Sequence, residues 1–235
     1  MTHTNWLNNI QVENATSLEQ GLYGSATSSS PAWHHVGKRV LDVMVAGTAL
    51  LFLAPLLLLL SAIIMVDGGS PVFGHERVGR NGRSFRCLKF RSMVPNAGEV
   101  LAKLLKEDPE AAHLWATTRK LPRDPRVTAI GRFLRATSLD ELPQLINVLR
   151  GEMSLVGPRP VVQEELTEHY GVAAASYLSV RPGITGLWQI SGRSDTTYAE
   201  RVALDCRYVR EFSFWSDLRI LWRTIPAVLA GRGAY

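Results

Sequence analysis

VMVAGTALLFLAPLLLLLSAIIMV, running from Val43 to Val66, decides the architecture. Gly47, Thr48, Pro55 and Ser61 are its only interruptions. As one helix these residues would measure about 36 Å, enough to cross the hydrocarbon of a bilayer. Leu56 to Leu60 is an unbroken leucine run with no polar face, which argues against the core helix of a soluble protein. The segment associates with a membrane.

Two features bear on how it does so. Pro55 lies near the middle, where it removes a helix hydrogen bond, clashes with the preceding turn and favours a kink. Each half would be roughly 16–18 Å long, about one leaflet. Positive charge flanks both ends: Lys38 and Arg39 precede the segment, and Arg77, Arg80, Arg83, Arg86, Lys89 and Arg91 follow it. Positive flanks prefer the cytoplasmic side, and a helix that enters, bends at Pro55 and returns satisfies both. A kinked spanning helix also accommodates the proline, so the residues alone leave both topologies open.

On the N-terminal side, residues 1–33 contain Glu13 and Glu19 and no Lys or Arg. They are rich in Ser, Thr, Asn and Gly, with neither a basic n-region nor an apolar h-region, and read as a disordered tail rather than a secretory signal. Because the whole chain carries +5, the remainder carries about +7, a bias suited to anionic headgroups and phosphates. Cys87 and Cys206 give no disulfide framework and read as buried thiols in a reducing compartment.

On the C-terminal side, residues 68–235 read as a cytosolic, helix-rich α+β module. Arg83 to Phe90 alternates polar and apolar, and Asn81-Gly82 is a hairpin turn signal. Ala97 to Lys106 is amphipathic and is expected to end before Pro109. Ile130 to Leu134 and Leu139 to Leu149 read as further helix, with Gly151 as a stop. Phe212 to Leu229 mixes Phe, Trp and Leu with Arg219 and Arg223, the pattern either of an interfacial helix or of a core helix with snorkelling arginines.

The stretch richest in chemistry is Thr137-Ser138-Leu139-Asp140-Glu141-Leu142-Pro143-Gln144. Ser138 followed by Glu141 has capping-box spacing, and a cap at Asp140 would instead place Pro143 in the first helical turn. Either register puts two adjacent carboxylates at a helix start, where a phosphate and a divalent cation can both be held. Basic clusters surround it: Lys89 and Arg91, Arg123 and Arg126, Arg132 and Arg135. Arg159 stands between Pro158 and Pro160, so its guanidinium would be held with little ordering cost. Arg181-Pro182-Gly183-Ile184-Thr185-Gly186 is a rigid basic turn with a hydroxyl, by itself weak evidence for phosphate binding.

Together these residues resemble the bacterial sugar transferase family, the monotopic polyprenol-phosphate phosphoglycosyl transferases. The resemblance rests on five ordered blocks: KFRSM at 89–93, DPRVT at 124–128, TSLDELPQLINVLRGEMSLVGPRP at 137–160, RPGITGLWQISGR at 181–193 and LDCRYV at 204–209. It covers about residues 36–235 and is closest to the short, exopolysaccharide-initiating members. Ala54-Pro55 stands where such members carry Ser-Pro.

The resemblance implies a re-entrant membrane helix over residues 34–67 bent at Pro55, a catalytic module with interfacial helices, and a place on the cytoplasmic face of the inner membrane. It implies a UDP-sugar donor and undecaprenyl phosphate as acceptor, with galactose or glucose 1-phosphate transferred and UMP released. Asp140 matches the nucleophile and Glu141 its partner, with Mg²⁺ on Asp140. Lys89, Arg91 and Arg159 would clamp phosphate oxygens, the turn carrying Arg181, Gly183 and Thr185 would lie near the donor, and Asp205 would position a cation or a basic residue. Membrane lipid is an expected partner, a homodimer is an open assembly, and nucleic acid is not expected. The competing readings are a membrane glycosyltransferase that releases UDP and a non-catalytic scaffold whose carboxylates only cap a helix.

Overall fold

A computed structural model describes residues 32–118, 121–122, 124–191 and 197–229. The expected tail therefore lies outside the described residues, apart from the start of the first helix, as do Arg123 and Arg193.

The apolar segment forms one helix, α1 (Ala32–Met65), with Pro55 inside it. By length and composition it could cross a membrane, and only 11% of its most apolar stretch is buried. Leu51, Phe52, Leu58 and Leu59 are each more than half exposed, far more apolar surface than an aqueous helix presents.

Two narrow contacts hold α1 to the remainder of the protein. Near its N-terminus, Lys38 pairs with Asp217 at 2.5 Å and donates to the Val156 carbonyl at 2.9 Å. Arg39 donates to the carbonyls of Val148 and Leu149, and Asp42 accepts from the Leu155 N–H. At the other end, Leu60 and Ile64 pack on Phe90 and Leu134, while Arg91 donates to the Ile64 carbonyl at 2.7 Å and to Asp67 at 2.6 Å. Both ends of the apolar segment thus rest on the same folded module.

That module is helix-rich with two small sheets. β1 (Val72–Val78) and β2 (Ser84–Phe90) form an antiparallel hairpin, with Val78 opposite Ser84. Asn81 and Gly82 both have positive φ, as the turn signal requires. α2 (Ala97–Glu107) is followed by α3 (Pro109–Thr118). Pro109 therefore opens a helix as well as stopping one, because its missing N–H falls in the first turn.

α4 (Ala129–Thr137) is capped by the Thr128 hydroxyl, which accepts from the Gly131 N–H. A single 3₁₀ turn, Leu139–Glu141, leads into α5 (Gln144–Arg150), which stops at Gly151 in the left-handed region. β3 (Ser154–Val156) pairs in parallel with β4 (Gly183–Thr185), matching Ser154 with Gly183 and Val156 with Thr185. Between them run α6 (Gln163–Glu165), two irregular turns and α7 (Ala174–Ser179). α8 (Leu187–Ile190), α9 (Tyr198–Arg210) and α10 (Phe214–Leu229) complete the described chain.

The main core gathers Val148, Met153, Val156 and Val209, with Ala46 of α1 packed into it. Asn147 lies at its centre, fully buried: its side chain accepts from the Leu88 N–H and donates to the Arg86 carbonyl and to Glu152. That one amide ties α5 to β2, and so fixes the turn that carries the paired acids relative to the strand that carries Lys89.

Both cysteines are buried and free. In α10, Ile220 and Asp217 are buried while Trp215 and Trp222 are 76% exposed, so one face packs on the core and the other presents indoles outward. The helix continues through Pro226.

Candidate active site

The acids are placed by a backbone irregularity. α4 ends at Ser138, a non-glycine residue held at φ 57°, and the chain reverses there into the 3₁₀ turn bearing Asp140 and Glu141. Such a conformation costs of order 1 kcal/mol and persists only where the surroundings enforce it. The capping-box expectation is corrected here. Ser138 makes no side-chain cap; it is the left-handed terminus of α4, its N–H donating to the Arg135 and Leu134 carbonyls. Asp140 does not cap α5 either, since Pro143 occupies that position.

Glu141, freed from capping, accepts from Lys89 Nζ at 2.6 Å. Burial works against the Lys89 ammonium, but Glu141 and the nearby Asp140 outweigh it and hold its pKa above the ordinary lysine value. Asp140 has the opposite bias. Burial first, and then the charge of Glu141, raise its carboxyl to about 6, against the pull of Lys89 and Arg135. A carboxylate with that balance is ionised at neutral pH yet poorly solvated, the state of an activated oxygen nucleophile.

These groups open into a cavity of about 470 Å³. Arg77, Arg135 and Arg159 also line it, so four cationic side chains, counting Lys89, surround the two acids. Arg159 lies 3.4 Å from Glu165, which also accepts from the Tyr198 hydroxyl at 2.8 Å and has Arg77 at 4.0 Å. Burial and the neighbouring Arg159 both depress the pKa of Arg77. Two guanidiniums this close, sharing one carboxylate, form a strongly electropositive wall suited to a diphosphate. Cys87 also borders the cavity, but burial pushes its thiol up to about 11, which leaves it a poor competing nucleophile.

Gly183 and Thr185 also line the cavity. A side chain at Gly183 would collide with the backbone of Gly157, so glycine here is a packing requirement of the β3–β4 pair. Thr185 shares a 2.8 Å hydrogen bond with Thr224 of α10, joining the cavity to that helix. Trp188 lines the cavity with a buried indole N–H that has no hydrogen-bond partner among the described residues, and Arg201 stands 5.1 Å over its ring.

The structure thus gathers Asp140, Glu141, Lys89, Arg159, Gly183 and Thr185 in one place. Three residues expected there lie elsewhere. Arg91 grips the end of α1 instead of facing phosphate, because β2 ends at Phe90 and the chain turns away. Arg181 donates to the Gly151 carbonyl on another side of the module. Asp205 is buried outside the lining of the cavity, accepting from Tyr170 at 2.8 Å, and borders a small separate pocket together with Arg159. Burial raises its pKa to about 7, while Tyr170 and Arg159 pull it down. Arg126 forms a bidentate pair with Asp124 and lies over Trp115, so the DPRVT block closes on itself.

Residues 33–231 match the family described as bacterial sugar transferase. The chain belongs to the bacterial sugar transferase family. It is accordingly an enzyme, a phosphoglycosyl transferase. This sugar transferase is 55% identical over 201 residues to the exopolysaccharide production protein ExoY of Rhizobium meliloti (strain 1021), covering 85% of this chain and 88% of ExoY. It is 51% identical over 198 residues to the undecaprenyl-phosphate galactose phosphotransferase of Salmonella typhimurium, covering 84% of this chain but only 41% of that longer protein. It is 40% identical over 207 residues to the UDP-glucose:undecaprenyl-phosphate glucose-1-phosphate transferase of Caulobacter vibrioides, covering 84% of this chain and 72% of its relative. Arg77 and Trp188 were not singled out from the sequence. Arg77 is one of many basic residues there, although Trp188 lies inside a matched block.

Proposed function

We propose that this transferase moves galactose or glucose 1-phosphate from a UDP-sugar to undecaprenyl phosphate through a phosphosugar-aspartyl intermediate on Asp140. The observation that carries the reading is Asp140 itself: a poorly solvated carboxylate in a cavity walled by Lys89, Arg77, Arg135 and Arg159. In the first step an Asp140 oxygen attacks the β-phosphorus. The bond from that phosphorus to the bridging oxygen breaks, and UMP departs with the bridging oxygen. In the second step a phosphate oxygen of the lipid attacks the same phosphorus, the bond to Asp140 breaks, and a polyprenyl diphosphate sugar leaves. The cationic wall neutralises the phosphoryl oxygens in both steps, and positioning supplies most of the remaining rate.

The residues fit a Mg²⁺ ion. Adjacent carboxylates whose like charge raises Asp140 would be relieved by a divalent cation, and Mg²⁺ is usually held by one or two carboxylates with waters and substrate phosphates. Asp140 would hold it, with Glu141 kept in place by Lys89. Bound there, the ion would supply charge stabilisation to the diphosphate and the leaving nucleotide.

The same reading places the enzyme on the cytoplasmic face of the inner membrane, with α1 entering and leaving from one side. A straight spanning helix separates its ends by about 30 Å of hydrocarbon. Here Lys38 and Asp42 at one end, and Ile64 and Asp67 at the other, bond to one module. Exposed Trp215 and Trp222 add the interfacial contacts.

Purified enzyme given UDP-galactose or UDP-glucose, Mg²⁺ and undecaprenyl phosphate is expected to release UMP. Release of UDP would overturn the phosphoglycosyl mechanism in favour of direct glycosyl transfer.

A further inference from the structure

Arg181, which lies away from the catalytic cavity, belongs to a second constellation. It borders a small cavity of about 40 Å³ together with Lys38, Arg39, Asp42, Arg80 and Ser154. Four of these six side chains are cationic. Lys38 is fully engaged by Asp217 and the Val156 carbonyl. Arg39 and Arg181 donate only to main-chain carbonyls, which leaves most of their N–H groups uncommitted. Among the described residues neither Arg39, Arg80 nor Arg181 takes part in an ion pair. The one carboxylate present, Asp42, is buried and turned to the Leu155 N–H.

Three like-charged guanidiniums border one cavity, where each disfavours the charge of the others. Burial, and then Arg39 and Arg80, depress the pKa of Arg181, with Asp42 opposing. An unsatisfied polar atom also lies in the wall of the cavity. Ser154 is completely buried and borders the cavity, and among the described residues its hydroxyl has no hydrogen-bond partner. Buried hydroxyls without partners are uncommon and cost about 1–3 kcal/mol. One anion would satisfy that hydroxyl and relieve the cations together.

We propose that Arg39, Arg80, Arg181 and Ser154 form a phosphate-binding site separate from the catalytic cavity. The volume accepts one tetrahedral oxyanion, larger than the space of about 10–15 Å³ that a single water needs. Its location suits a phospholipid headgroup. Arg39 lies one turn before the apolar run begins at Val43, and Val36 and Val40 on the adjoining turns are 64% and 57% exposed. The site therefore lies where α1 leaves the hydrocarbon. A free phosphate would be recognised by the same groups. The site does not depend on the transfer chemistry; only its lipid source rests on the membrane reading.

Two substitutions isolate it. R80Q removes an exposed charge that makes no described side-chain hydrogen bond. S154A removes the unpaired hydroxyl with little change of shape, and in ligand-free neutral detergent it should melt no lower than the parent. Full-length parent and variants are melted with increasing inorganic phosphate in neutral detergent. They are also melted in nanodiscs of phosphatidylcholine with and without phosphatidylglycerol.

Stabilisation by inorganic phosphate that R80Q weakens about tenfold, and S154A weakens several-fold, identifies a free-phosphate site. Stabilisation confined to the phosphatidylglycerol discs and reduced by both variants identifies a lipid headgroup. No stabilisation by either probe overturns the proposal, and so does a response that both variants keep in full, which would place the anion in the catalytic cavity. UMP release assayed on the same preparations reports on the transfer reaction separately.

Discussion

At the residue scale the account depends on how two adjacent acids come to differ. Glu141 pairs with Lys89 at 2.6 Å, whereas among the described residues Asp140 has no ion-pair partner, and burial raises its carboxyl to about 6. A raised carboxyl binds its proton more tightly when folded. The stability it contributes is therefore complete below about pH 4 and is lost as pH rises through about 6. Asparagine mimics the protonated form at every pH. D140N is expected to abolish turnover while melting higher than the parent above pH 6, by about 1–2 kcal/mol, with the gap closing toward pH 4. Unfolding at a series of pH values checks this. Activity of the parent should fall as pH drops through about 6, because the protonated acid is no nucleophile. E141Q removes a charge that raises Asp140 and frees Lys89 to lower it further. The acid limb of its kcat/KM profile should move to lower pH, a shift that a purely structural glutamate would not produce.

At the element scale, α1 is anchored by polar contacts at its ends and by apolar packing of Ala46, Leu60 and Ile64, while Leu51, Phe52, Leu58 and Leu59 stay exposed. Asp217 is 2% exposed on its side chain, so K38M would leave a buried carboxylate unpaired. The expected cost is about 3–5 kcal/mol, read as a lower unfolding midpoint in detergent, with D217N and K38M together losing less than the sum. This scale also shows what the sequence could and could not disclose. The long apolar run, the hairpin turn at Asn81-Gly82 and the stop at Gly151 were legible because each depends on local backbone chemistry. Arg91 and Arg181 were not, because a guanidinium facing a helix-end carbonyl has the same sequence signature as one facing phosphate. Whether Lys89 and Arg91 share a task depends on β2 ending between them at Phe90, a tertiary fact. The capping box failed for a similar reason. Its spacing was right, but Ser138 was taken up by the end of α4.

At the scale of the whole molecule, the proposed mechanism asks one arrangement to serve two substrates of opposite solubility. The apolar helix and the exposed indoles of α10 give the module surfaces suited to a lipid environment. Asn147 and the Thr185–Thr224 contact tie the turn bearing Asp140 and α10 to one module, so Asp140 is held at a fixed place in that assembly. In the proposed mechanism a soluble nucleotide sugar and a membrane phosphate use one cavity in succession, and Asp140 would carry the phosphosugar between them. The most direct test is to quench the enzyme with UDP-sugar before acceptor lipid is added, digest it, and map the adduct by mass. The account expects a hexose-phosphate mass on the peptide containing Asp140, discharged when undecaprenyl phosphate follows. An enzyme that turns over normally with that peptide never modified would contradict it.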